Sequence, residues 1–299
     1  MMSGTGTTDV PYDRTVEDLG NIVELGHVNV RVPDQKLATL FYISGLGLTR
    51  DPYLMTGVTN MWANAGRSQF HLPTGRAQVL RGHTGLVLPD REALLQRLAA
   101  VRRGLEDTSF DFREHDDYVE AVCPWGNRIR CYEPEPRFGR ITLGMPYVEI
   151  DVRRGTANRI ADFYEEILDA FADVEEDERS RCARVMVGPD QYLIYRETDR
   201  PIEPHDGAHI QITLVDFSGP HERLLAKGLV TEESDQHQYR FEDVLDLETG
   251  KALVTVEHEV RSMRHPLYGR PLVNRNPAQT NQRFAPGHES WAWAMPYSD

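Results

Sequence analysis

The sequence predicts an α+β protein assembled from four βαβββ modules. Three observations carry this: an alternating strand pattern recurs four times at near-constant intervals, a helical pattern follows each recurrence, and short β-like stretches follow each helix. The modules begin near residues 24, 80, 143 and 206.

In the first module, LGHVNVRVPD alternates apolar and polar residues as a half-buried strand does. QKLATLFYISGLGL follows, with Leu37, Leu40, Phe41 and Ser44 at helical spacing, and then TRDPYL, TNMWANA and SQFHLP. In the second, GHTGLVLPD leads into REALLQRLAAV, which places Leu94, Leu95, Leu98 and Val101 on one face; FDFREH, YVEAVCP and GNRIRCYE complete it. The third opens with LGMPYVEIDV and NRIADFYEEILDA, where Ile160, Phe163, Tyr164 and Ile167 repeat the helical spacing, and ends in QYLIYRE. The fourth opens with AHIQITLVD and PHERLLAKGL, with Leu224 and Leu225 read as inward-facing, and ends in ALVTVEHE. Phe41–Tyr42 and Phe163–Tyr164 lie 122 positions apart, and His83 and His209 lie 126 apart, so the second half echoes the first.

The boundaries follow: an N-terminal extension over residues 1–23, modules one and two over 24–142, modules three and four over 143–262, and an extended C-terminal arm over 263–299. The arm is rich in Pro, Asn and Arg, yet carries Phe284, Trp291, Trp293 and Tyr297, which suits a segment packed on the modules or on a partner subunit. The acidic run DVEEDERS, residues 173–180, reads as a solvated loop. One module cannot cover the apolar face of its own curved sheet. Pairing two of them closes a cavity in which inward-facing polar residues have a purpose.

Composition narrows the function. With 40% hydrophobic and 27% charged residues the chain is ordinary for a soluble globular protein. No apolar run approaches the ~18–20 residues of a bilayer span. A net charge of −14 argues against nucleic acid, whose phosphates require concentrated Lys and Arg. The opening MMSGTGTTDVPYDRT lacks a secretory pattern. Cys123, Cys131 and Cys182 form no CxxC pair, so reduced thiols and a cytoplasmic location are expected.

The LGHVNVRVPD…FYISGLGL opening and the GNRIRCYE strand resemble the vicinal-oxygen-chelate superfamily of glyoxalases, bleomycin-resistance proteins and extradiol dioxygenases, over roughly residues 24–262. The resemblance implies a metal in the cavity of a module pair, with ligands from first and last strands. First-strand positions are His27, His83, Tyr147 and His209; last-strand positions are approximately His71, Arg130, Leu193 or Tyr195, and Glu257. Modules two and three would pool His83, Arg130, Tyr147 and a Leu or Tyr, a poor divalent-metal site. Modules one and four would pool His27, His71, His209 and Glu257. Two imidazoles and a carboxylate resemble the facial triad of non-haem Fe(II) oxygenases. A 1+4 and 2+3 pairing is therefore expected, with two open-barrel cavities and His27, His209 and Glu257 as metal ligands. Glu259 shares the strand face of Glu257 and is the alternative, whereas His258 points the other way.

His71 is read as a fourth ligand, a hydrogen-bond partner of the site, or a surface residue. The resemblance makes His237 a candidate acid–base group, with Tyr239 as its alternate-face neighbour, and an imidazole suits proton transfer near neutral pH. Arg240 is a candidate for stabilising negative charge. Extradiol enzymes usually carry a Tyr about ten residues before the Glu, and here Leu247 stands there. No organic cofactor site is expected. The implied function is a non-haem Fe(II)- or Mn(II)-dependent dioxygenase acting on a catechol-like or vicinally oxygenated small molecule and O2. The alternatives are a glyoxalase-like isomerase or lyase with Ni(II), Zn(II) or Mn(II), and a metal-free binding protein. The family often dimerises, so a homodimer is within what the resemblance implies.

Overall fold

The structure, a computed structural model, describes residues 13–54 and 58–275. Module one contributes β1 (Ile22–Asn29), a short helix α1 (Gln35–Ala38) continuing as a π-helical turn (Thr39–Gly45), β2 (Thr49–Arg50), β3 (Asn60–Ala65) and β4 (Ser68–Pro73). Module two contributes β5 (Gly82–Val87), α2 (Arg91–Val101), β6 (Asp111–Glu114), β7 (Val119–Val122) and β8 (Arg128–Tyr132). Module three contributes β9 (Gly144–Arg153), α3 (Ala157–Leu168), β10 (Ala172–Glu176), β11 (Arg181–Gly188) and β12 (Gln191–Thr198). Module four contributes β13 (His209–Leu214), α4 (Ser218–Ala226), β14 (Val230–Asp235), β15 (Gln238–Leu245) and β16 (Ala252–Ser262).

These strands form two eight-stranded sheets. One runs β14-β15-β16-β13-β1-β4-β3-β2 and joins modules one and four; the other runs β10-β11-β12-β9-β5-β8-β7-β6 and joins modules two and three. The 1+4 and 2+3 pairing is thus the one expected. In each sheet the first strands of two modules meet antiparallel, β1 with β13 and β5 with β9, and each first strand runs parallel to the last strand of its own module.

Side chains alternate across the strands, so one sheet face carries polar residues into the cavity and the other packs on helices. Val28, Phe70 and Ile210 are buried on the helix side. Helix α3 forms as its spacing predicts and buries Ile160, Phe163, Tyr164 and Ile167. It packs on β10 and β11 of its own sheet and reaches α4 and β15 of the other. A polar pin crosses the same junction: the Tyr164 hydroxyl bonds both the Tyr195 hydroxyl and, at 2.5 Å, His258 Nε2. His258 donates from Nδ1 to the Val256 carbonyl at 2.7 Å and stacks on Phe241, facing away from the cavity as strand alternation requires.

Three expectations are corrected. Leu224 is buried, but Leu225 is 49% exposed, since successive helix residues are about 100° apart and a short helix buries a narrow stripe. The acidic run is a loop only in its second half: residues 172–176 form the edge strand β10, with the exposed carboxylates of Asp173 and Glu175 on its outer side, while residues 177–180 make the exposed turn beyond it, from which Arg179 reaches inward. Leu193 and Tyr195 lie in the core on the helix side rather than at the second cavity, where Arg196 of the same strand stands. The arm, described to residue 275, packs on module one; its aromatics Phe284, Trp291, Trp293 and Tyr297 lie outside the described residues, as do residues 1–12 of the N-terminal extension. No helix among the described residues is long and apolar enough to cross a membrane.

Candidate metal centre

Two rows of side chains cross the cavity face of the 1+4 sheet. In one, His71 on β4, Asn29 on β1, His209 on β13 and Glu257 on β16 stand side by side. In the next are Gln69, His27, Gln211 and Glu259. The alternation expected from the sequence therefore aims His27, His71, His209 and both glutamates into one chamber. The ring centroids of His71 and His209 lie 5.7 and 5.6 Å from that of His27. One nitrogen from each of the three imidazoles falls within 4.8 Å of the others.

Glu259 comes to 3.9 Å from His27 Nε2 and 3.5 Å from His209 Nε2. Glu257 approaches His209 alone, at 3.3 Å from Nδ1. Arg240 bridges the carboxylates, pairing with Glu257 and with Glu259 at 2.6 Å, and Arg261 pairs with Glu259 at 2.7 Å. Burial raises the Glu259 carboxyl, but His27, His209 and Arg261 outweigh it and hold it below the usual carboxylate range. Burial pushes His27 well below the usual imidazole value, and burial together with the neighbouring His209 pushes His71 down to about 3. Both rings are therefore neutral at pH 7, with lone pairs available. His71 is also held flat against Trp62, centroids 3.8 Å apart and planes within 11°.

The Nε2 atoms of His27, His71 and His209 are buried and have no hydrogen-bond partner. Each such atom costs about 1–3 kcal/mol when left unsatisfied. Three convergent imidazole nitrogens beside an ionised carboxylate match the donor set of a divalent transition metal, and a cation there would satisfy all three. The residues present fit such a group.

Of His71, His237, Tyr239 and Arg240, the structure brings His71 and Arg240 into the chamber. Tyr239 lies on the opposite sheet face, buried against Phe217 and His221 at the start of α4, with centroids 5.0 and 4.8 Å away. His237 sits half-buried in the turn between β14 and β15, where its backbone carbonyl accepts from the Ser262 N–H at 3.0 Å. Arg261 and Gln211 were missed from the sequence. Arg261 lies two residues beyond Glu259, so the face shared by Glu257 and Glu259 was the available signal.

Beside His27 the chamber continues over Gln69, Gln211, Thr213 and Arg261, and the arm closes over it with Leu267, Tyr268 and Leu272. The arm is tied down at Asp51, which takes Arg270 at 2.7 Å, at Gly66, which exchanges two hydrogen bonds with Asn274, and at Thr49, which accepts from the Arg275 N–H.

The 2+3 cavity is built differently. His83 Nε2 bonds the Tyr147 hydroxyl at 3.0 Å, which bonds the Tyr132 hydroxyl at 2.8 Å. His83 Nδ1 faces Glu149 at 3.6 Å, and Glu149 takes Arg179 through two nitrogens and Arg196 at 3.5 Å. Arg130 lies over the Tyr118 ring, 3.5 Å from Glu120. Gly85 is required here, because a Cβ at that position would collide with the Tyr147 ring that crosses it.

No family model matches the chain, and no curated protein matches it either. Solved structures do. Glyoxalase I from Zea mays aligns with a TM-score of 0.57 at 13% identity, over 81% of this chain and 93% of that one. A candidate dioxygenase from Bacillus subtilis subsp. subtilis str. 168 aligns with a TM-score of 0.52 at 16% identity, over 82% of this chain and 86% of that one. At such identities the likeness speaks for the fold alone. With the four modules and their pairing, the fold is that of the vicinal-oxygen-chelate superfamily.

Proposed function

We propose that the protein is a metal-dependent dioxygenase of the extradiol type, acting on a small molecule with two neighbouring oxygens. His27 and His209 would hold Fe(II) or Mn(II) together with one carboxylate of the Glu257–Glu259 pair. Glu259, the glutamate within 4 Å of both imidazoles, is the stronger choice. The observation that carries the reading is the set of three buried imidazole nitrogens without partners beside that carboxylate. When bound, the metal supplies Lewis-acid activation and a template for the substrate oxygens.

The chain's own residues do the rest. Strands β1, β13 and β16 fix the donors on a rigid sheet rather than on loops. Burial keeps His27 and His71 unprotonated, so neither repels a cation. Arg240 pairs with both glutamates and places a positive charge where a developing anion would lie. The arm's Leu267 and Tyr268 limit the entry of water.

One observation favours a second reading. His71 lies as close to His27 as His209 does. Four-ligand binding by His27, His71, His209 and a glutamate would suit a glyoxalase-like isomerase with Zn(II), Ni(II) or Mn(II), and would consume a position that dioxygen needs. Metal analysis of anaerobically purified protein, followed by oxygen-uptake assays on catechols and hydroquinones, separates the two. One equivalent of iron or manganese with oxygen uptake is the expected result. Zinc or nickel without uptake moves the assignment to the isomerase. Protein that takes up no metal under any loading leaves neither.

A further inference from the structure

We infer that the chamber beside His27 accepts an aromatic acid, whose carboxylate is recognised by Arg67. This rests on the metal reading only for placing the oxygenated end of the ring near His27.

Two features of the lining point the same way. The first is charge. Arg67, Arg261 and Arg270 line the chamber, against Glu24 as the acid beside them. Arg261 is engaged by Glu259 and by Gln238, which accepts from its Nε at 3.0 Å; Arg270 is engaged by Asp51. Arg67 stands at the turn between β3 and β4 with no hydrogen bond or salt bridge among the described residues. Glu24, whose charge it feels, accepts from Thr213 at 3.1 Å, and burial raises its carboxyl, which weakens it as a counter-ion. The chain holds 47 acidic against 33 basic residues, so an arginine at the mouth of a cavity with only the distant charge of Glu24 and no close ion pair runs against the overall balance. A guanidinium in that position offers the two-pronged geometry that a carboxylate accepts.

The second feature is the asymmetry of the walls. The floor is polar, with Gln69, Gln211 and Thr213, and the roof is Leu267, Tyr268 and Leu272. A flat ring would lie beneath such a roof only where Leu267, Tyr268 and Leu272 give way, since the space as it stands is smaller than a ring; its oxygens would then turn to the floor and the site beyond His27. Its charged substituent then faces the mouth, where Arg67 stands.

The test begins with the full-length protein freed of metal, titrated with benzoate and with benzamide. Benzoate should bind about tenfold more tightly, as expected for a charge-assisted two-pronged pair. Arg67→Gln should reduce the preference to about twofold or less, and Arg67→Lys should restore part of it. Arg67 is exposed, so an unchanged melting temperature will show that the variants fold. Equal binding of the two probes, or a benzoate preference that survives Arg67→Gln, overturns the inference. The loaded protein is then assayed for oxygen uptake with gentisate and protocatechuate against hydroquinone and catechol. A carboxylate preference in a protein that consumes no oxygen would remove the dioxygenase reading and keep the anion site. Equal oxidation of the acids and the neutral diols would do the reverse.

Discussion

The two cavities share a scaffold and differ in what their polar groups lack. In the 2+3 cavity His83 has a partner on one ring nitrogen and a carboxylate facing the other, and Glu149, 2% exposed, is held by two arginines. In the 1+4 cavity three imidazole nitrogens converge and none has a hydrogen-bond partner, although Glu259 stands 3.5 and 3.9 Å from two of them. Duplicating a module copies strand positions, and the residues placed there decide the outcome. A satisfied network stiffens a sheet pair, whereas an unsatisfied one costs stability unless something binds. On the proposed reading, the difference makes the 1+4 cavity the one that would take a ligand.

The sharpest way to break this contrast is metal uptake. Glu259→Ala should lower affinity for Mn(II) by at least about 100-fold, beyond the roughly 10–100-fold typical of residues that only orient ligands. His83→Ala should leave it unchanged. Titration calorimetry on both, with Glu257→Ala alongside, also identifies the carboxylate ligand; equal losses from His83→Ala and Glu259→Ala would erase the distinction between the cavities. The converse concerns stability. Glu149→Ala strands Arg196 in a buried setting, and should cost about 2–4 kcal/mol in urea unfolding, below the roughly 3–5 kcal/mol of a fully buried pair because Arg179 is 45% exposed. Its metal uptake should not change.

Smaller effects refine the picture. Burial lowers His258, in neither cavity, to about 3. The unfolded chain therefore binds a proton that the folded chain refuses between about pH 3 and 6.5, and stability falls as pH drops through that window. Replacing His258 with Phe should flatten the dependence by about 1.4 kcal/mol per pH unit, read from urea midpoints across the range. An unchanged slope would mean that another group carries it. Least of all, Arg240→Gln should tighten metal binding about threefold to tenfold, since it removes a cation that competes for both glutamates. Chelator competition measures this, and weaker binding would show that Arg240 supports the ligands instead.

Much of this was legible in the chain because modules repeat. The Phe–Tyr pairs at 41–42 and 163–164 located two helices, and the residue types at first and last strands already favoured joining module one to module four. The remainder depends on register. Glu257 and Glu259 share a strand face, so alternation could not rank them; the structure adds that Glu259 lies 3.9 Å from His27. A slip of one residue moved Leu193 and Tyr195 to the helix side and left Arg196 unseen, because strand period two inverts every assignment. Glu149 escaped notice because Tyr147 alone was taken from its strand. Arg240 meets the glutamates through the pairing of β15 with β16, a register that no local pattern encodes.

The antiparallel seam between β1 and β13 has a consequence for synthesis. Ile22 of β1 lies against Leu214, so once β1 is made that flank waits for the fourth module before it is covered. Strands β5 and β9 meet far sooner, and the 2+3 half can mature while the first module still presents a bare edge. Such an edge is a template for pairing with another copy of itself. Slow translation or a weakened fourth module should therefore show up as aggregated nascent protein.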